Sequence, residues 1–250
     1  MSRGLGDVYK RQLAIMEYLT SGITANADMY LTPDTMIQAS EDCGFRTTVI
    51  GAVNDFTQSV KEVENWYEKY HKEDGLTSYE LGFHAEYTTK REILEGISEL
   101  SKKYHAPIYT HNSESASEVA QCVERTGMTP TVYMEQLGLF EYGGGLYHCV
   151  HMSEEDLDVV KRHQISVITN PASNLKLASG IAPIEEMLKR NIDLAIGTDG
   201  PASNNCLDMF REMFLVTALA KYRENDASAV DFCDHQPSLE SKICLLYTSD

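Results

Sequence analysis

The feature that most constrains this chain is a repeated order: a short apolar run, an ionisable residue at its end, a polar loop, then a helical pattern. It is clearest in Leu194-Ala-Ile-Gly-Thr-Asp-Gly-Pro-Ala-Ser-Asn-Asn205. Leu194 to Gly197 reads as a short, fully buried strand. Thr198-Asp199-Gly200 then sets a carboxylate before the residue best able to turn sharply, and apolar helical spacing begins near Leu207. Taken alone, the dipeptide reads as an Asp-Gly turn. An acid at the C-terminal end of a buried strand is also where barrel enzymes keep their chemistry.

The order recurs upstream. Gly22–Asp28, Arg46–Val53, Tyr79–Phe83, Pro107–Thr110, Leu146–Val150 and Ile165–Thr169 read as further strands. Helical spacing separates them: Thr32 to Cys43 with Gly44 as its stop, Val60 to His71, Ile93 to Leu100, and Ile184 to Leu188. Ser153-Glu-Glu-Asp156 is a capping-box signature for another helix. Phe210 to Leu219 is the last. Seven strand–helix units with these connections suit parallel pairing. The expected class is α/β, an incomplete TIM-type (β/α)8 barrel whose missing unit precedes Leu13.

Bulk properties narrow the partners. With 250 residues, 42% of them hydrophobic and 24% charged, the chain is ordinary for a soluble globular domain. A net charge of −17 argues against a nucleic-acid backbone, which needs clustered Lys and Arg. No apolar run is long enough to cross a bilayer, so no membrane partner is expected. The six cysteines are scattered without a C-x-x-C pair, which fits a reducing cytoplasm. Residues 1–12 (MSRGLGDVYKRQ) and 232–250 stand apart from the periodic pattern. They read as a non-native leader and a divergent or non-native tail around a barrel fragment at 13–231.

Four strands end in ionisable groups: His84, His111, His148 and Asp199. A single strand-end histidine is ordinary hydrogen-bonded structure. On parallel strands of one closing sheet, however, the four converge on one mouth. Imidazole and carboxylate together suit Zn²⁺ or a similar divalent ion, although a catalytic zinc typically has three protein ligands. Glu114 either joins His111, if the chain leaves the strand at His111, or simply begins the next helix. His148 and His151 cannot both face inward from one strand. His148, which shares parity with Leu146, is taken as the inward one, with Cys149 and His151 as packing residues.

The ordered blocks Gly-Phe-His84-Ala-Glu-Tyr-Thr, Thr-His111-Asn-Ser-Glu114-Ser, Tyr-His148-Cys-Val-His151, Asn170-Pro-Ala-Ser-Asn-Leu-Lys-Leu-Ala-Ser-Gly-Ile-Ala-Pro183 and Gly-Thr-Asp199-Gly-Pro-Ala-Ser-Asn-Asn205 resemble the amidohydrolase superfamily of metal-dependent hydrolases. The likeness covers about Leu13 to Asp231 and is strongest to the 5-methylthioadenosine/S-adenosylhomocysteine deaminase group. It implies that His111 and Asp199 ligate one divalent metal, Zn²⁺ with Fe²⁺ or Mn²⁺ as alternatives. It makes Glu114, His148 and Asp199 catalytic, and His84, Glu114 and Asp199 substrate-binding. The implied reaction is hydrolytic deamination of an adenine ring in a small-molecule purine nucleoside. Other ring deaminases (guanine among them), chlorohydrolases and a non-catalytic barrel are the alternatives.

Two departures from the family pattern bear on this. The family's His-x-His strand and flanking β-sandwich are absent, so the chain as given is expected to bind metal weakly and be inactive. Gly51 stands where the group often has an Arg. Open strand edges near Ile23 and Leu194 would favour a homo-oligomer.

Overall fold

A computed structural model of the protein describes residues 3–230 and 243–245. The chain opens with α1 (Arg3–Thr20), β1 (Ala25–Met29), α2 (Pro33–Cys43), β2 (Arg46–Ile50), α3 (Val60–Tyr70) and β3 (Thr77–Ala85). It continues through α4 (Arg91–Tyr104), β4 (Ile108–Asn112), α5 (Ala116–Thr126), α6 (Pro130–Gln136), β5 (Gly144–His148), α7 (Glu154–Arg162) and β6 (Ser166–Thr169). The last described elements are α8 (Pro171–Lys176), α9 (Ile184–Lys189), β7 (Leu194–Ile196), α10 (Pro201–Asn204), α11 (Met209–Glu224) and β8 (Ile243–Leu245). The strands pair in sequence order, every pair parallel. This is the α/β barrel arrangement, open between β1 and β8 among the described residues.

Local chemistry sets the element ends. Gly44 ends α2 with a left-handed φ of 64°. At the start of α7, the Ser153 hydroxyl accepts from the Asp156 amide at 3.2 Å, and an Asp156 carboxylate oxygen accepts from the Ser153 amide at 2.8 Å. Both match the sequence reading, because both depend on neighbours a few residues apart. Alternation along the strands divides the interior in two. Tyr79, Leu81, Phe83, Ile108, Leu146, Val167, Leu194 and Ile196 face outward into the helices. Ile50, Ala52, Tyr147, Ile168 and Ala195, with Tyr109, fill the space inside the sheet.

One expectation changes, at the edge near Leu194, while the edge near Ile23 stays as expected. α1 runs through the boundary drawn between residues 12 and 13 without interruption. An eighth strand lies within the segment set apart as a tail, where Leu194 pairs with Ile243, so the β7 edge is not open. β1 pairs only with β2 among the described residues. Cys233 and His235 lie outside the described residues.

Gly51 has a packing reason. A Cβ there would sit 2.8 Å from the Gly82 carbonyl oxygen, and a Cβ on Gly82 would sit 2.6 Å from the Gly51 carbonyl oxygen. The ends of β2 and β3 approach so closely that neither position holds a side chain. Gly82→Ala is expected to destabilise the fold by about 3 kcal/mol, the upper range for overpacking against backbone. Urea unfolding would measure it, and a loss below ~0.5 kcal/mol would contradict the close approach.

Candidate active site

Strand alternation delivers two of the histidines directly. On β3, Tyr79, Leu81 and Phe83 face the helices, so His84 falls on the inner face. On β4, Tyr109 lies inside and His111 two residues on shares its side. Their rings lie 5.1 Å apart, centroid to centroid, and the His148 ring is 5.4 Å beyond His111. Three imidazoles therefore stand in a row at the C-terminal mouth, with the Tyr147 ring 5.2 Å from His111.

His148 reaches that row by a different route from the one its parity suggests. Leu146 faces the helices and Tyr147 faces inward, so a regular strand would turn His148 outward. The chain instead adopts left-handed φ values at His148 (67°) and Cys149 (50°), which swing the imidazole back inside. The inward choice was right and its parity argument was not. Glu114 shows the same device. β4 continues through Asn112, one residue past the exit expected at His111, and Ser113 turns at a φ of 50°. One Glu114 carboxylate oxygen then lies 3.9 Å from His148 Nε2. Asp199 also has a left-handed φ, 59°, just after β7.

Each group is held. His111 Nδ1 donates to the His84 carbonyl at 2.8 Å, which leaves the lone pair on Nε2. His148 Nδ1 donates to the Asn174 side-chain oxygen at 2.7 Å, so Nε2 is the nitrogen aimed at Glu114. The Ser173 hydroxyl donates to one Asp199 carboxylate oxygen, and the Gly200 amide donates to the other at 2.6 Å. The Ser179 hydroxyl donates to Glu114 at 3.0 Å. His84 Nδ1 pairs with the Thr88 hydroxyl at 2.9 Å. Direct contacts thus join His84, His111, His148 and Glu114, while Asp199 is tied to them through neighbouring residues of α8.

Two buried carboxylates missed from sequence brace the loops. Glu118 on α5 accepts from the Ser113 and Glu114 amides, both at 2.9 Å. Glu212 on α11 accepts from the Ala172 amide at 3.0 Å and from the Asn204 side chain at 2.8 Å. Burial pushes both carboxyls above their ordinary range, against the pull of those hydrogen bonds. The capping pattern Ser115-x-x-Glu118 was a local signal for the first. Glu212 binds residues 40 and 8 positions away and had none.

The donors suit a divalent metal in kind: an imidazole nitrogen whose partner nitrogen is anchored to a carbonyl, and an anchored carboxylate. In number they fall short. Among the described residues, no three His, Cys, Asp or Glu side chains gather closely enough to hold an ion.

The sequence profile of the amidohydrolase family matches residues 9–234. This chain belongs to the amidohydrolase family. Within it, the chain is 38% identical over 234 residues to the 5-methylthioadenosine/S-adenosylhomocysteine deaminase of Caldanaerobacter subterraneus subsp. tengcongensis, a match covering 90% of this chain and 54% of that one. It is 35% identical to the 5'-deoxyadenosine deaminase of Methanopyrus kandleri, over 89% of this chain and 53% of that one. A zinc-bound adenosine deaminase from Xanthomonas campestris superposes with a TM-score of 0.87 at 32% identity, over 92% of this chain and 54% of that one. A zinc-complexed atrazine chlorohydrolase from Arthrobacter aurescens shares the fold at a TM-score of 0.80 and 22% identity, over 87% and 54%. This amidohydrolase spans about half the length of the relatives it matches. No described helix is long and apolar enough to cross a membrane.

The raised Glu212 carboxyl fixes a sign. Its folded form holds a proton at pH values where the unfolded chain, near the ordinary 4.5, has lost it. The contribution of Glu212 to stability therefore falls as pH rises above 4.5. Wild type is expected to gain stability relative to Glu212→Gln as pH is lowered from 7 towards 4.5, in denaturant titrations at each pH. A difference that grows with rising pH would contradict this.

Proposed function

We propose that the site in this amidohydrolase is shaped for hydrolytic deamination of the adenine ring of a thioether nucleoside, 5-methylthioadenosine or S-adenosylhomocysteine, a reaction in which oxygen replaces the amino group and ammonia leaves. The observation that carries the reading is the Glu114 carboxylate 3.9 Å from His148 Nε2, beside the His84–His111–His148 row. It sets a group able to pass protons beside an imidazole that can hold water. The identity to a deaminase of these nucleosides supports the choice of ring.

His111 and Asp199 are the residues that would hold a divalent metal, zinc by analogy with the zinc-bound relative. When bound, such an ion would supply Lewis acidity, lowering the pKa of water to about 7. The chain's own groups do the rest. His148, its tautomer set by Asn174, orients the attacking water. Asp199 takes that water's proton. Attack at the ring carbon bearing the amino group gives a tetrahedral carbon. Glu114 protonates the adjacent ring nitrogen, the proton held by Asp199 leaves with ammonia, and the proton of the new hydroxyl passes to Glu114 as the carbonyl forms. Water is consumed, and the product is the inosine analogue. His84 lines the same mouth and contacts the ring.

A cytoplasmic setting suits a substrate of this kind and the free thiols of Cys43, Cys122, Cys149 and Cys206. A second copy would add at the outer edge of β1.

With two donors among the described residues where a catalytic zinc typically has three, this chain is expected to lose zinc on dialysis and to release no ammonia. It should still bind 5-methylthioadenosine more tightly than guanine or a triazine, read by calorimetry. One tightly held zinc per chain would overturn the ligand reading, and a preference for guanine or a triazine would overturn the substrate.

A further inference from the structure

Glu114 has a support that neither the family match nor the roles above assign. Its carboxylate is turned towards His148 by the Ser179 hydroxyl, 3.0 Å away. Ser179 follows α8 in a turn bounded by left-handed Ala178 (φ 57°) and by Gly180 (φ 129°). The turn is tethered on the other side by His151, whose Nε2 donates to the Ser179 carbonyl at 2.7 Å. The His151 amide in turn donates to the Ser113 carbonyl at 2.9 Å, one residue before Glu114.

The contacts close a ring: Glu114 to Ser179 by side chain, Ser179 to His151, and His151 back to the backbone of Ser113. Gly180 packs into the same corner. A Cβ there would sit 2.9 Å from Val150 and 3.8 Å from the His151 ring. The cycle fixes the backbone of Ser179 through His151, so the hydroxyl is presented to Glu114 from a held position, while the carboxylate itself is retained by that one hydrogen bond. Glu114 keeps a side-chain exposure of 20%, so without the cycle it has room to swing into solvent.

We infer that Ser179, locked by His151, is a positioning residue that fixes the Glu114 carboxylate towards His148 and so sets the binding of the purine ring. The inference rests on the proposed role of Glu114, and its test separates the two. Carboxyl labelling with a carbodiimide and glycine ethyl ester, read residue by residue by mass spectrometry on the full chain, reports the freedom of Glu114 without requiring turnover. Ser179→Ala is expected to speed Glu114 labelling by roughly threefold or more, the low end of the scale for one lost hydrogen bond, while Glu118 labelling stays unchanged. Ser179→Thr, which keeps the hydroxyl, should restore the wild-type rate. His151→Ala should give a smaller increase.

Calorimetry with 5-methylthioadenosine supplies the second readout. Ser179→Ala should weaken binding about tenfold and have no further effect in the Glu114→Ala background, where the acceptor of its hydrogen bond is gone. Unchanged Glu114 labelling in Ser179→Ala, no rescue by threonine, or an equal loss in the Glu114→Ala background would each overturn the positioning role. Absence of nucleoside binding by wild type would instead overturn the substrate reading, with labelling still deciding the Ser179 contact.

Discussion

The site depends on a set of hydrogen bonds made by one eleven-residue stretch, Asn170 to Gly180. Ser173 grips Asp199, Asn174 grips His148, and Ser179 grips Glu114. These three ionisable groups come from three different strand ends, and none is held by its own strand neighbours alone. Parallel pairing brings the ends to one mouth, but a sheet positions backbones, not carboxylate or imidazole planes. The orientation comes from α8 and the turn after it, packed across the mouth. Glu212 then ties that stretch to α11 and to Asn204.

Backbone conformation does comparable work. His148, Cys149, Ser113 and Asp199 all adopt left-handed φ values without being glycine. Such residues are uncommon, and each costs of order 1–3 kcal/mol unless the surroundings over-determine it. Here they do. The Cys149 amide donates to the Asn112 carbonyl, and the Ser113 carbonyl accepts from two amides, those of Val150 and His151. The strain is used to turn side chains at the strand ends that a regular strand would direct elsewhere.

The division between what the sequence discloses and what it withholds follows from the range of the forces. Strand and helix positions were legible because periodicity and caps act over a few residues, as at Gly44 and Ser153. His84 and His111 were legible because two-residue alternation continues to the end of their strands. The inward turn of His148 was not, since its left-handed backbone breaks the alternation used to infer it. Glu118 was missed although Ser115-x-x-Glu118 is a local capping pattern, and its grip on the Glu114 amide left no mark in the sequence. Glu212 and Ser179 were invisible for a plainer reason: their partners lie 40 and 65 positions away. The short β8 escaped because the segment carrying it lacks a matching helical pattern.

The buried carboxylates on α5 and α11 also bear on how such a site could be altered. Each outer helix reaches inward to hold the backbone of a loop that presents a reacting group. A loop transplanted from a related barrel would arrive without its anchor, its amides facing a foreign side chain. The exchangeable module is therefore the loop together with the helix that restrains it, and changes of substrate in this architecture should travel in those larger blocks.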